Sequence, residues 1–265
     1  MPRANRHYVP GLIWHITHRC HKREFLLKFA RDRRRWLYWL YEAKKRYGLV
    51  VLGYTLTSNH IHLLVQDGSC RATIPASMDL IAGRTGQQYN QRKKRRGAFW
   101  EDRYHSTAIE SGSHLVRCMI YIDLNMVRAG RVGHPGEWPF CGYNEILGSR
   151  QRYNIIHWPS LLLHLGMKDR EEFRRSYKEW VEDRLNMRGL ARESEWTEGV
   201  AVGSKDFVGR TASALGIRAQ GRAIEKVVGE PGSGRTTTWV LAEDRMTYSC
   251  NMDHKNKFLG PKNRG

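Results

Sequence analysis

No two cysteines of this chain stand at C-x-x-C spacing. The five present (Cys20, Cys70, Cys118, Cys141, Cys250) are odd in number and widely scattered, which argues against both a disulfide framework and a structural zinc site. No stretch approaches the roughly 18 consecutive apolar residues that a membrane span requires. The opening "MPRANRHYVPG" has no apolar signal core, so a cytoplasmic, nucleoid-associated protein without membrane contact is expected. Acidic residues are also scarce. Lys and Arg number 45 against 26 Asp and Glu, a formal net charge of +19, and such a surface attracts polyanions and releases their counterions. Nucleic acid is the first partner to consider.

What is present alternates between strand and helix. "GLIWHITH" (11–18) is a β-rich run after a Pro-Gly pair. From Ala30 to Tyr47, Trp36, Leu40 and Tyr47 gather near one helical face, and Gly48 stops the helix. "LVVLGYTLTSNHIHLLVQDG" reads as two strands around Thr57-Ser58-Asn59. Pro75 opens a helix that runs into the basic block "RKKRRG", "AFWEDRYHSTAIE" is strand-like, and "SGSHLVRCMIYIDLNMVRAG" is a helix closed by Gly130. That order predicts an α+β fold: a ferredoxin-like split βαβ, mostly antiparallel, with helices on one face. One domain is expected over 1–148. Residues 149–265 are expected to form an accessory, mainly helical, basic extension with a disordered tail.

Two chemistries look possible and fail on spacing. "HITHRCH" (His15, His18, Cys20, His21) has no second ligand pair at finger spacing. "GEPGSGRT" (Gly229–Thr236) has Arg235 where a phosphate-cradling loop needs Lys, follows a helical rather than a strand pattern, and reads as a Gly-rich connection. No nucleotide cofactor is expected.

"TSNHIHLLV" is harder to dismiss. At period 2, His60 and His62 share one face of a strand, half of a metal site unless they merely decorate a solvated face. On the helix near residue 120, Leu115, Met119, Ile122 and Met126 form a core stripe, while His114, Arg117, Tyr121, Asn125 and Arg128 form a second stripe of phosphate-binding, metal-binding or nucleophilic groups. Tyr121 and Asn125 stand at i and i+4, one turn apart.

Together "SNHIHLLV", "FWEDRYHSTAIES" and "YIDLNMVRAG", with "WHITHRCHKREFL" before them, resemble the single-tyrosine HUH transposases, and among these the REP-associated tyrosine transposases, over roughly residues 8–147. The resemblance implies that His60 and His62 are metal ligands, Asn125 is a third ligand, and Tyr121 is the nucleophile. It implies a transesterase that cuts and rejoins single-stranded DNA of REP-hairpin type through a 5′-phosphotyrosine link. Mixed N/O ligation beside a phosphate favours Mg²⁺ or Mn²⁺. One departure is Met126, where the family commonly has proline; methionine keeps a backbone donor, so helix geometry after Asn125 can differ. Arg117, Arg128 and the block Arg92, Lys93, Lys94, Arg95 and Arg96 are candidate DNA contacts, and the chain would act as a monomer or homodimer. Two alternatives share these features. One is a protein that binds such hairpins without cutting them. The other is a metal-dependent nuclease drawing on Asp67, Glu101 or Asp102.

Overall fold

The computed structural model describes residues 9–67, 70–149, 151–187, 190–227 and 237–242. The Gly-rich segment 229–236 and the expected disordered tail lie outside them.

Strands β1 (Ile13–Arg19), β2 (Val50–Leu56), β3 (His60–Gln66) and β4 (His105–Ile109) alternate with helices α1 (Ala30–Tyr47), α2 (Thr73–Lys93) and α3 (Ser113–Asp123) in the order read from the sequence. Then come α4 (Asn125–Arg128), α5 (Gly142–Ile146), α6 (Trp158–Leu165), α7 (Arg170–Asn186), α8 (Glu195–Glu198), β5 (Ala201–Gly203), α9 (Lys205–Leu215), β6 (Ile224–Val227) and β7 (Thr238–Leu241). Local chemistry sets several boundaries. Gly48 closes α1 in the left-handed region (φ 67°), its N–H donating to the Lys44 carbonyl, a conformation glycine adopts without a Cβ penalty. Asp169 caps α7 by accepting from the Glu172 N–H, and Ser204 caps α9 by accepting from Phe207 N–H, each satisfying an amide that lacks a helical partner.

The sheet runs β2-β3-β1-β4-β5-β7-β6. Its first four strands are antiparallel: β1 lies between β3 and β4, and β2 flanks β3. Beyond them β5 joins β4 in parallel, Ala108 opposite Ala201 and Ile109 opposite Val202, and β7 and β6 extend the sheet antiparallel. The C-terminal region is thus helical in most of its elements but also lengthens the sheet by three strands, and the sheet passes across residue 148.

Helices cover both faces, not one as expected. Ile61 and Leu63 share the face of His18, whose ring stacks on Trp100; the Trp100 indole donates to the Ala82 carbonyl in α2, and α1 packs along α2. The opposite face, that of His62, meets α3 and α4, where Thr55 donates to Asp123 and Asn125 donates to His62. The sheet's apolar residues alternate to serve both layers. Trp14, Ile16, Trp36, Leu40, Ile61 and Leu63 are fully or almost fully buried, an apolar core at the scale of about 2 kcal/mol per large side chain.

The helix expected over 111–130 is divided. α3 ends at Asp123, Leu124 has φ −78° and ψ 3°, and α4 begins at Asn125. Bonds from Leu124 N to Ile120 O and from Arg128 N to Leu124 O carry the chain across the join, so Asn125 still follows Tyr121 by about one turn. Leu115, Met119, Ile122 and Met126 are all buried, as the apolar stripe requires.

Candidate active site

β3 and the α3–α4 pair bring His60, His62, Tyr121, Asn125 and Arg128 together. In the β1–β3 register Thr17 faces His62 and Arg19 faces His60, which puts both histidines on the face toward α3. Their ring centroids are 4.9 Å apart and nearly perpendicular.

Hydrogen bonds fix which nitrogen of each ring is bare. Asn59 donates from Nδ2 to the Arg23 carbonyl at 3.2 Å, which turns its Oδ1 toward His60. His60 Nδ1–H then donates to that oxygen at 2.7 Å, with Thr57 Oγ1 at 2.9 Å. His60 Nε2 keeps its lone pair. His62 Nδ1 lies 2.9 Å from His15 Nε2, and its own Nε2 accepts from Asn125 Nδ2 at 2.9 Å.

Burial keeps these rings neutral. Desolvation is the largest cause of the lowering at all three: His15 and His60 fall from 6.5 to about 4, and His62 falls well below 6.5. Arg19, Arg128 and Arg192 depress His60 further, and His60, His15, Arg128 and Arg19 depress His62. Neutral imidazoles beside a primary amide make a donor set that suits a divalent cation. To serve as a ligand, Asn125 would exchange its hydrogen bond to His62 for an oxygen turned toward the ion. Among the described residues no group of three or more His, Cys, Asp or Glu is placed to hold a metal, so the carboxylates Asp67, Glu101 and Asp102 do not complete a site with the histidines. Asp67 instead accepts from the Gly11 amide, with β3 between it and His60.

The Tyr121 ring lies edge-on to His62, centroids 6.1 Å apart. Arg128 covers it with its guanidinium 4.1 Å from the ring centre and donates to the Tyr121 carbonyl at 2.6 Å, a cation–π contact that also shields the phenol. The residue is 4% exposed. Desolvation raises its pKa, with Arg128 and Arg192 pulling the other way.

Other candidate contacts lie elsewhere. Arg117 donates to Thr238 Oγ1 and stacks over Trp196, and so is engaged with the C-terminal region. Within the basic block, Arg92 pairs with the buried Asp32 and lies over Tyr89, and Arg95 bonds Asn90, Ala98 and Glu24. Lys93, Lys94 and Arg96 are exposed. This block ends α2, the helix on the sheet face opposite His62.

Three groups escaped the sequence reading. His15, set aside with the "HITHRCH" cluster, touches His62 directly; only the pairing of β1 with β3, added to period-2 counting, reveals it. Trp196 supplies its carbonyl to His15 Nδ1 at 2.7 Å and its ring to Tyr121, centroids 6.4 Å apart; nothing in its local sequence points there. Asp123 is buried, accepts from Thr55 at 3.2 Å and Tyr177 at 2.7 Å, and is pushed by desolvation up to about 7.

Residues 8–125, a little under half of the chain, match the family described as Transposase IS200 like. Among solved structures, a REP-associated tyrosine transposase bound to a REP hairpin is similar at 19% identity and a TM-score of 0.47, over 59% of this chain and 91% of that one. A candidate transposase from Deinococcus radiodurans R1 is similar at 14% identity and a TM-score of 0.33, over 49% of this chain and 97% of that one. No curated protein matches the chain. No helix among the described residues is long and apolar enough to cross a membrane.

Proposed function

We propose that the chain is a transposase that cleaves and rejoins single-stranded DNA of hairpin type, with Tyr121 as nucleophile and His60, His62 and Asn125 holding a divalent ion, Mg²⁺ or Mn²⁺. The observation that carries this reading is the convergence of two bare imidazole Nε2 atoms, one amide and one phenol on a single face of the sheet. When bound, the ion would polarise the scissile phosphate.

The residues supply the rest. The Tyr121 oxygen forms a bond to phosphorus as the bond to the 3′ oxygen breaks, and the phenolic proton ends on that departing oxygen. The products are a 5′-phosphotyrosine and a free 3′-OH. Because one phosphoester replaces another, the bond energy is kept for rejoining. Burial raises the phenol's pKa and Arg128 covers its ring, so a phosphate that draws Arg128 from the ring would uncover the phenol for attack. Arg19, Arg128 and Arg192 supply the positive field that gathers such a phosphate.

The test is incubation of the full chain with labelled single-stranded DNA carrying a REP-type hairpin, with Mn²⁺, followed by a denaturing gel. A covalent protein–DNA band and a 3′-OH fragment are expected. Retained hairpin binding with no such band would leave a hairpin-binding protein in its place.

A further inference from the structure

His60 and His62 reach the same protonation pattern by different routes. For His60 both groups that bond the Nδ1 proton directly, Asn59 and Thr57, lie within three positions of the ring. For His62 the chain of bonds leads through His15 to residue 196, well beyond the stretch that matches the transposase family. We infer that His15 and the Trp196 carbonyl act as a positioning relay that holds the His62 proton on Nδ1 and keeps its Nε2 lone pair directed at the site. The inference rests on the proposed metal-binding reading and gives the C-terminal region a part in it.

The argument is one of proton counting. A carbonyl can only accept, so His15 Nδ1 must carry a hydrogen to bond Trp196 O at 2.7 Å. One proton then lies in the 2.9 Å gap between His15 Nε2 and His62 Nδ1. Were it on His15, that ring would be a cation with no exposed surface, stacked at 5.1 Å on another imidazole, a placement that burial penalises heavily. The proton therefore belongs to His62 Nδ1. Asn125, donating to His62 Nε2 at 2.9 Å, independently requires that nitrogen to be bare. Orientation of a ligand histidine through its second nitrogen is how outer groups tune metal sites in general.

The carbonyl is held firmly. Trp196 is fully buried and its indole donates to Glu193 at 2.8 Å. Gly199, just past α8, accepts from Thr107 Oγ1 at 2.7 Å. A Cβ on Gly199 would stand 2.7 Å from both the Glu195 carbonyl and Val240 Cγ2, so only glycine lets this segment close onto β7.

Two measurements on the full chain test the relay. Long-range ¹H–¹⁵N correlation of the metal-free wild-type protein at neutral pH should show His15 and His62 both as Nδ1–H tautomers; His62 carrying its proton on Nε2 would overturn the proposal. Mn²⁺ affinity, read by electron paramagnetic resonance, should fall roughly 10- to 100-fold in His15→Leu and stay near wild type in His15→Gln, whose amide can still accept from His62 and donate to Trp196. Equal affinity in wild type and His15→Leu would overturn it too. The expected tautomers in a protein that binds no Mn²⁺ would uphold the relay and remove the metal reading alone.

Discussion

His15 and His18 sit three residues apart on β1 and end on opposite faces of the same sheet. His15 enters a line of polar groups running from Trp196 O through His62 to Asn125. His18 bonds the Asp102 carbonyl at 2.8 Å and stacks on Trp100, centroids 4.1 Å apart. Both rings are buried; what separates them is the layer each meets. One face meets α3, α4 and α8, which bring a phenol, an amide and a carbonyl. The other meets α2 and the loop before β4, which bring indole and aliphatic surface. The same residue type on the same strand thus lines the proposed site on one side and packs against indole on the other.

The largest way to break this contrast is to remove the proposed nucleophile. Tyr121→Phe should lower formation of the covalent DNA adduct roughly a thousandfold or more, on the scale seen when an enzyme loses its attacking group, with hairpin binding kept in a mobility-shift assay. Adduct formation by the phenylalanine variant would refute the assignment. Next come the two faces set against each other. His62→Ala should lower Mn²⁺ affinity at least tenfold, whereas His18→Ala should leave it unchanged and instead cost about 1–3 kcal/mol of stability, through a lost stack and hydrogen bond. Metal titration and urea unfolding of both variants give the answer. If the two variants behave alike, the faces are not functionally distinct.

The site face should also leave its mark on stability against pH. His15 and His60 titrate near 4 in the fold and His62 below 6.5, while in the unfolded chain each takes up a proton near ~6.5. Protons therefore bind the unfolded state first as pH falls. The stabilisation is complete above about 6.5 and is lost progressively toward 4. Asp123, raised to about 7, works in the other direction, since between about 3.9 and 7 the fold holds a proton that the unfolded chain has released. His114, His157 and His164 are also lowered, and Glu145 and Glu195 are also raised. Six histidines thus oppose three carboxylates, so urea midpoints should rise from pH 5 to pH 7, and Asp123→Asn should steepen the rise. A flat or falling profile in wild type would contradict the neutral-histidine network.

Much of this was legible in the sequence because it is local. Period-2 spacing put His60 and His62 on one face, a helical turn put Asn125 after Tyr121, and the apolar stripe of α3 was read residue by residue. What escaped depends on pairing between distant segments. Helices on both faces could not be read from a strand order that allows either arrangement, and three extra strands were hidden in short segments of three or four residues. The break at Leu124 follows no glycine or proline, so no breaker announced it. His15 and Trp196 are 181 positions apart and meet only because β5 joins the far side of β4.

The basic block at the end of α2 offers the smallest effect and a comparison within five residues. Arg92 is paired with Asp32, which is 6% exposed, whereas Arg96 is exposed. Arg92→Ala would strand a buried carboxylate and should cost about 1–3 kcal/mol of stability, with any loss of DNA binding secondary to it. Arg96→Ala should leave unfolding unchanged. If its guanidinium meets a phosphate, the slope of log affinity against log salt should flatten by about 0.7 for a single strand, a change of a few-fold at moderate salt. An unchanged slope for Arg96→Ala would assign that end of α2 to solvent and confine the DNA-binding surface to the face that carries His62.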